Sequence, residues 1–200
     1  AARGRVELIA IGASTGGPQA LAALLAALAG KVTVPVLIVQ HISSGFTQGF
    51  ANWLATVTGM PVKCPVNGEL CQAGTAYVAP DDLHMGVNSA GLIVLDGGQP
   101  LSHLRPAAAH LFRSVAAAYG SRAAGILLTG MGKDGAAELK LMRNAGAVTF
   151  AQDAATSVVH GMPGEAIALG AADYIMAPEA IGAAVLRLTS QRNAGAEQGG

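Results

Sequence analysis

The sequence predicts a three-layer α/β/α sandwich around a mostly parallel, doubly wound sheet, with a small antiparallel addition. Three observations predict it. Short β-branched runs alternate with longer Ala/Leu-rich runs along most of the chain, the pattern of right-handed βαβ crossovers and a sheet covered on both faces. Between residues 60 and 100 this gives way to short apolar runs set among Gly, Asn, Pro and Asp, which suits small antiparallel strands. The length, 200 residues, fits one domain that buries enough surface to fold without staples.

The elements follow in order. Val6–Ile11 reads as a buried strand, and Pro18–Ala29 as a helix with its proline in the first turn. Val34–Val39 is a second strand and Phe46–Thr58 a second helix. Thr75–Val78 and Leu92–Leu95 are the short strands assigned to the antiparallel addition. Pro106–Tyr119 returns to helix, Ala123–Leu128 is a strand, and Gly135–Asn144 is a helix with Gly146 placed as its C-terminal cap. Val148–Ala151, the short helix Pro163–Leu169, Asp173–Met176 and the helix Pro178–Leu188 complete the alternation. Residues 1–5 read as a leader or linker remnant, 6–189 as one domain, and 190–200 as a polar, Gly-rich tail.

Composition narrows the function. Twelve basic and twelve acidic residues cancel, which argues against a nucleic-acid partner. No apolar run approaches the roughly 18 residues a membrane span requires, so no membrane insertion is expected. The spacing of Cys64 and Cys71 matches no zinc or redox motif; two free thiols in a reducing cytoplasm are expected. No His or carboxylate pair has metal spacing, and neither metal nor cofactor is expected.

In an open parallel sheet, ligands bind beyond the carboxyl ends of the strands. Three loops there carry unusual residues: Gly12-Ala-Ser-Thr-Gly-Gly17, Gln40-His41-Ile-Ser-Ser-Gly45 and Thr129-Gly-Met-Gly-Lys-Asp-Gly135. They bring Ser14, His41 and Asp134 to one edge. A serine hydroxyl is a weak nucleophile until an imidazole accepts its proton, and a carboxylate on the other ring nitrogen fixes the tautomer. Ser14 also sits in a Gly-x-Ser-x-Gly pattern at a strand-to-helix turn. Taken singly, each residue has a plainer reading: a helix-start serine, a hydrogen-bonded histidine, an N-cap aspartate. A phosphate cradle for a nucleotide is the rival reading of the Gly-rich loops, although neither carries the full spacing of a nucleotide motif.

The same loops resemble the catalytic domain of the chemotaxis protein-glutamate methylesterases, CheB. The matching stretches are Ile-Gly-Ala-Ser14-Thr-Gly-Gly, Gln-His41 with Gly-Phe-Thr47, and Leu-Thr-Gly-Met131-Gly-Lys-Asp134-Gly-Ala. Ala76-Tyr-Val-Ala-Pro80 with Asp82-Leu-His-Met85, Arg105-Pro106 before Leu111-Phe112, and Gly161-Met-Pro-Gly-Glu165-Ala extend the likeness from about Val6 to Leu188. The resemblance implies a cytoplasmic enzyme that hydrolyses glutamate γ-methyl esters on chemoreceptor cytoplasmic helices and releases methanol. It also implies deamidation of receptor glutamines in some members. By motif, Ser14, His41 and Asp134 form the triad, and Thr15 with the Met131 backbone N–H serves the oxyanion. Arg105 and Met162 are the expected substrate contacts, and a monomer is expected. The resemblance further implies a receiver domain on the N-terminal side of the full-length protein.

One residue and one short segment depart from the family pattern. Lys133 stands where asparagine is frequent and is expected to face solvent. Ala107-Ala-Ala-His110 follows Arg105-Pro106 where Ser and Asp are common. Among the other histidines, His84 is expected to be structural, His103 and His110 exposed, and His160 a reserve base near the rim. A receptor-binding module without turnover is the remaining alternative.

Overall fold

A computed structural model describes residues 5–190. The tail beyond Ser190 and the leader before Arg5 lie outside the described residues. Among the described residues, nine strands and six α-helices run β1(Leu8–Ala13), α1(Gly17–Leu28), β2(Val36–Gln40), α2(Thr47–Thr58), β3(Val62–Lys63), β4(Ala76–Val78), β5(His84–Val87), β6(Ile93–Asp96), α3(Ala108–Tyr119), β7(Ala123–Leu127), α4(Ala136–Asn144), β8(Val148–Gln152), α5(Met162–Ala168), β9(Tyr174–Met176) and α6(Pro178–Ser190). Seven strands form one sheet in the order β3-β4-β2-β1-β7-β8-β9. Every pairing in it is parallel. Strands β5 and β6 form a separate antiparallel pair.

The central strands β1, β2, β7 and β8 are buried along their whole length, as expected for a parallel sheet covered on both faces. One face packs against α1, α2 and α6 and the other against α3, α4, α5 and the β5–β6 hairpin, giving two apolar cores. Helix α1 shows why the sequence makes a helix there. Leu21, Leu24, Leu25 and Leu28 fall on one face and are all fully buried, the i, i+3, i+4, i+7 spacing of an amphipathic helix. Burial of each such side chain contributes about 1.5–3 kcal/mol.

Two assignments change. Thr75–Val78, expected in the antiparallel addition, supplies β4 of the main sheet, parallel to both β2 and β3. Ala76, Tyr77 and Val78 are all buried, as an interior position in a parallel sheet covered on both faces provides. The antiparallel pair is instead β5 with β6, and β5 carries His84 and Gly86 inside a run the sequence does not mark as apolar. Gly146 adopts φ 93° just past α4, the left-handed turn expected of it. Cys64 and Cys71 are free; burial, and secondarily the Glu69 charge, pushes the Cys71 thiol up to about 11. Among the described residues, no helix is long and apolar enough to cross a membrane.

Helix α6 lies against α1 through Gly182, where a Cβ would come within 2.8 Å of Ala27 Cβ and 3.0 Å of the Leu24 carbonyl oxygen. Gly182→Val must therefore part the two helices. Urea denaturation is expected to show a loss of about 1–3 kcal/mol, the usual cost of overpacking, with the same secondary structure by circular dichroism.

Candidate active site

Strand β1 sits between β2 and β7. From β1 the chain first builds the sheet outward through β2, then crosses to the other side at β7. That reversal is the switch point at which a parallel sheet opens a crevice beyond its carboxyl edge. The loop after β1 carries Ser14 and Thr15, the loop after β2 starts at His41, and the loop after β7 carries Met131 and Asp134.

The Ser14 loop is fixed by its backbone. The Ser14 N–H donates to the Thr129 carbonyl at 3.0 Å, and the Ser14 carbonyl accepts from the Gly17 N–H at 2.7 Å. Gly16, at φ 80°, turns the chain into α1. On the far side, Gly130 must lack a side chain. A Cβ there would lie 2.6 Å from Ser14 Cβ and 2.5 Å from Met162 Sδ. The close approach of the β1 and β7 loops thus depends on a glycine that the sequence already places.

His41 Nε2 lies 2.8 Å from Asp134 Oδ2. The same carboxylate accepts the Ala108 N–H at 2.6 Å through Oδ2 and the Ala109 N–H at 3.0 Å through Oδ1. These amides open α3, whose own N-cap residue, Ala107, offers no capping side chain. Asp134 therefore does not cap its own helix α4, as the plain reading held; it caps a neighbouring one. Its side chain is 6% exposed and that of His41 13%. A carboxylate so buried needs donors, and hydrogen bonds to a charged group contribute about 1.5–3 kcal/mol each.

With Nε2 on Asp134, Nδ1 is the ring nitrogen left for a hydroxyl. Ser14 and His41 leave adjacent strands in register, since β1 pairs Ala13 with Gln40 and the His41 N–H donates to the Ala13 carbonyl at 3.0 Å. Among the described residues, the Ser14 hydroxyl makes no hydrogen bond to the ring. Such nucleophile–base contacts are often long before substrate binds and tighten afterwards. Thr15 and Met131, the latter 70% exposed, lie on the loops after β1 and β7. Neither backbone N–H has a protein partner among the described residues, which leaves both donors free for an oxyanion.

The remaining expectations divide. Met162 is fully buried beneath Gly130, so its side chain supports the loop from below and presents no surface to a substrate. Arg105 spends Nη1 on the Gly97 and Gly98 carbonyls, at 3.0 and 2.7 Å; it ties down the loop leading into α3. Lys133 and His103 are exposed, as expected. His160 Nε2 lies 3.2 Å from the Gln152 carbonyl, a structural contact. His84 is buried, with Nε2 3.0 Å from the Gln99 carbonyl. Sequence reasoning missed Gln40, Thr129 and Gln152. Their signal was available: polar residues closing otherwise apolar strands. The Thr129 N–H donates to Gln152 Oε1 at 2.8 Å, and its hydroxyl donates to the Thr15 carbonyl at 2.9 Å.

Comparison with known proteins decides the family. The family model described as CheB methylesterase matches residues 9–185. The chain belongs to the CheB methylesterase family. It is 53% identical over 184 residues to a Syntrophus aciditrophicus protein named protein-glutamate methylesterase/protein-glutamine glutaminase 1, covering 92% of this chain and 53% of that one. A Geobacter metallireducens protein, protein-glutamate methylesterase/protein-glutamine glutaminase 4, is 49% identical over 94% of this chain and 54% of its own length. The chain thus spans about half the length of the curated relatives it matches. The Thermotoga maritima CheB methylesterase catalytic domain superposes with a TM-score of 0.88 at 33% identity, over 92% of this chain and 98% of that one. The CheB resemblance read from the loops and the sandwich read from the alternation are both upheld.

One feature of the CheB fold here runs against expectation. His110, expected exposed, is half-buried and stacks on His84, with ring centroids 4.7 Å apart and planes 7° apart. It lies in the first turn of α3, next to the two amides that hold Asp134. Burial first, then the neighbouring His84, holds its pKa below 6.5; Arg113 adds to the lowering and Asp96 opposes it. The unfolded chain therefore takes up this proton first as pH falls. Its contribution to stability is present above 6.5 and is lost as pH drops through the folded value. Urea melts on either side of that pH are expected to show an acid-side loss of stability that is smaller in His110→Phe. An equal loss in both proteins would rule this out.

Proposed function

We propose that this chain is a serine hydrolase that removes methyl groups from glutamate γ-methyl esters on chemoreceptor cytoplasmic helices. Family membership supports the reaction class. The observation that carries the mechanism is the 2.8 Å contact between His41 Nε2 and Asp134 Oδ2 beside the Ser14 loop.

In this reading Ser14 Oγ attacks the ester carbonyl carbon while His41 Nδ1 takes the hydroxyl proton. Asp134, on Nε2, holds the tautomer and stabilises the imidazolium. The backbone N–H groups of Thr15 and Met131 receive the negative charge that develops on the carbonyl oxygen. Collapse of the tetrahedral intermediate expels methanol with the proton returned by His41. Water, deprotonated by the same imidazole, then cleaves the acyl-enzyme to the free glutamate. A glutamine carboxamide would follow the same course with ammonia as the leaving group, which would fit the glutaminase in the relatives' names. The proposed partner is a receptor helix in the cytoplasm. A groove of about 380 Å³ lined by Pro18, Ile42, Phe46, Phe50 and Trp53 begins one residue past His41 and would take the apolar side of such a helix. The extra length of the relatives leaves room for the receiver domain implied by the resemblance. The family match weighs against a nucleotide-binding role for the same loops.

Methanol release from a methyl-labelled chemoreceptor cytoplasmic fragment tests the reading. Ser14→Ala and His41→Ala are each expected to lose several orders of magnitude in kcat. Asp134→Asn is expected to lose about 10⁴-fold by favouring the wrong tautomer. Undiminished release by Ser14→Ala would refute the assignment.

A further inference from the structure

We infer that Gln40 is a positioning residue that sets the spacing between Ser14 and His41; the inference rests on the hydrolase reading above. Gln40 closes β2 and is only 4% exposed. Its Nε2 donates to the Ser14 carbonyl at 2.9 Å and to the His41 carbonyl at 2.9 Å. A carboxamide nitrogen has two hydrogens, and both are used here. Among the described residues, no other side chain bonds to both Ser14 and His41.

The neighbouring backbone gives this strap its effect. The His41 N–H is already held by the Ala13 carbonyl, and the Ser14 N–H by the Thr129 carbonyl. Gln40 grips the carbonyl of each residue, so both are held at N–H and carbonyl alike, and the Ser14 carbonyl takes the Gln40 bond in addition to the Gly17 N–H. Its Oε1 is buried without a protein partner and points at the first turn of α1. A Cβ on Gly17 would stand 2.0 Å from that oxygen, so the carboxamide occupies space that only glycine leaves free. A buried, half-satisfied polar group costs stability. A core role alone would be met better by an apolar side chain of the same size, whereas the strap needs two donors on one atom.

The nucleophile and its base come from different loops, and their separation decides whether the proton passes between them. A misplacement of about 1 Å can cost on the order of 10²-fold in rate. Gln40→Leu keeps the volume and removes both donors. Gln40→Glu keeps the shape but faces two carbonyl oxygens with a carboxylate. Protonated, that carboxyl has one O–H donor and restores one of the two bonds.

The test measures kcat and KM for methanol release from a methylated receptor cytoplasmic fragment, the rate at which a fluorophosphonate labels Ser14, and Tm. For Gln40→Leu, kcat and the labelling rate are expected to fall together by about 10–100-fold, with KM little changed. For Gln40→Glu, activity relative to wild type is expected to rise as pH falls, because protonation returns a donor. Should Gln40→Leu not fold, that pH-dependent ratio decides alone. A lowered Tm with unchanged kcat and labelling rate, or a Gln40→Glu ratio that is flat with pH, would overturn the positioning role. Ser14→Ala is run alongside. Turnover lost there but unaffected in the Gln40 variants would overturn this inference only, whereas undiminished turnover in Ser14→Ala would overturn the hydrolase reading itself.

Discussion

One buried carboxylate joins the parts of this protein. Asp134 accepts hydrogen bonds from the His41 ring and from the two amides that open α3. The loop after β2, the loop after β7 and the first turn of α3 meet at its two oxygens. The helix contributes positive dipole as well as donors at that end, so its N-terminus and the His41 ring converge on the same carboxylate. Helix α3 is itself anchored by Arg113 to Glu138 of α4, at 2.6 Å, and by its packing on the β5–β6 hairpin. The orientation of one ring therefore depends on the placement of a whole layer of the sandwich.

A second set of polar residues does similar work at the ends of the strands. Gln40 closes β2, Thr129 follows β7 and Gln152 closes β8. All three are buried among apolar neighbours. Each bonds to loop backbone: Gln40 to Ser14 and His41, Thr129 to Thr15 and Val159, Gln152 to Thr129 and Thr156. Loops normally pay for their irregular backbone by facing water. Here the strand ends supply donors and acceptors to the loop backbone at the edge of a dry core.

Much of this was legible in the sequence because the relevant signals are local. The alternation of branched and Ala/Leu runs gave the layers, and the glycines around Ser14 and Asp134 marked the loops where a parallel sheet binds ligands. Other features depended on partners far along the chain. Whether Ala76–Val78 joined the main sheet or a hairpin turned on what covers its second face, which three residues cannot tell. That Asp134 caps α3 was hidden because the amides belong to Ala108 and Ala109, whose side chains carry no signal. Met162 looked like a rim residue from its motif, yet the glycine above it lets it pack underneath. His110, set between Ala107–Ala109 and Leu111–Phe112, is covered by a hairpin whose first strand the pattern did not mark.

The orientation of the His41 ring tests the central claim most directly. Nitrogen-15 NMR of histidine-labelled protein reports which ring nitrogen carries the proton and whether the other senses residue 14. The arrangement around Asp134 requires the proton on Nε2, with a bare Nδ1 whose signal shifts when Ser14 is phosphonylated. A proton on Nδ1, or an Nδ1 signal indifferent to modification of Ser14, would contradict it.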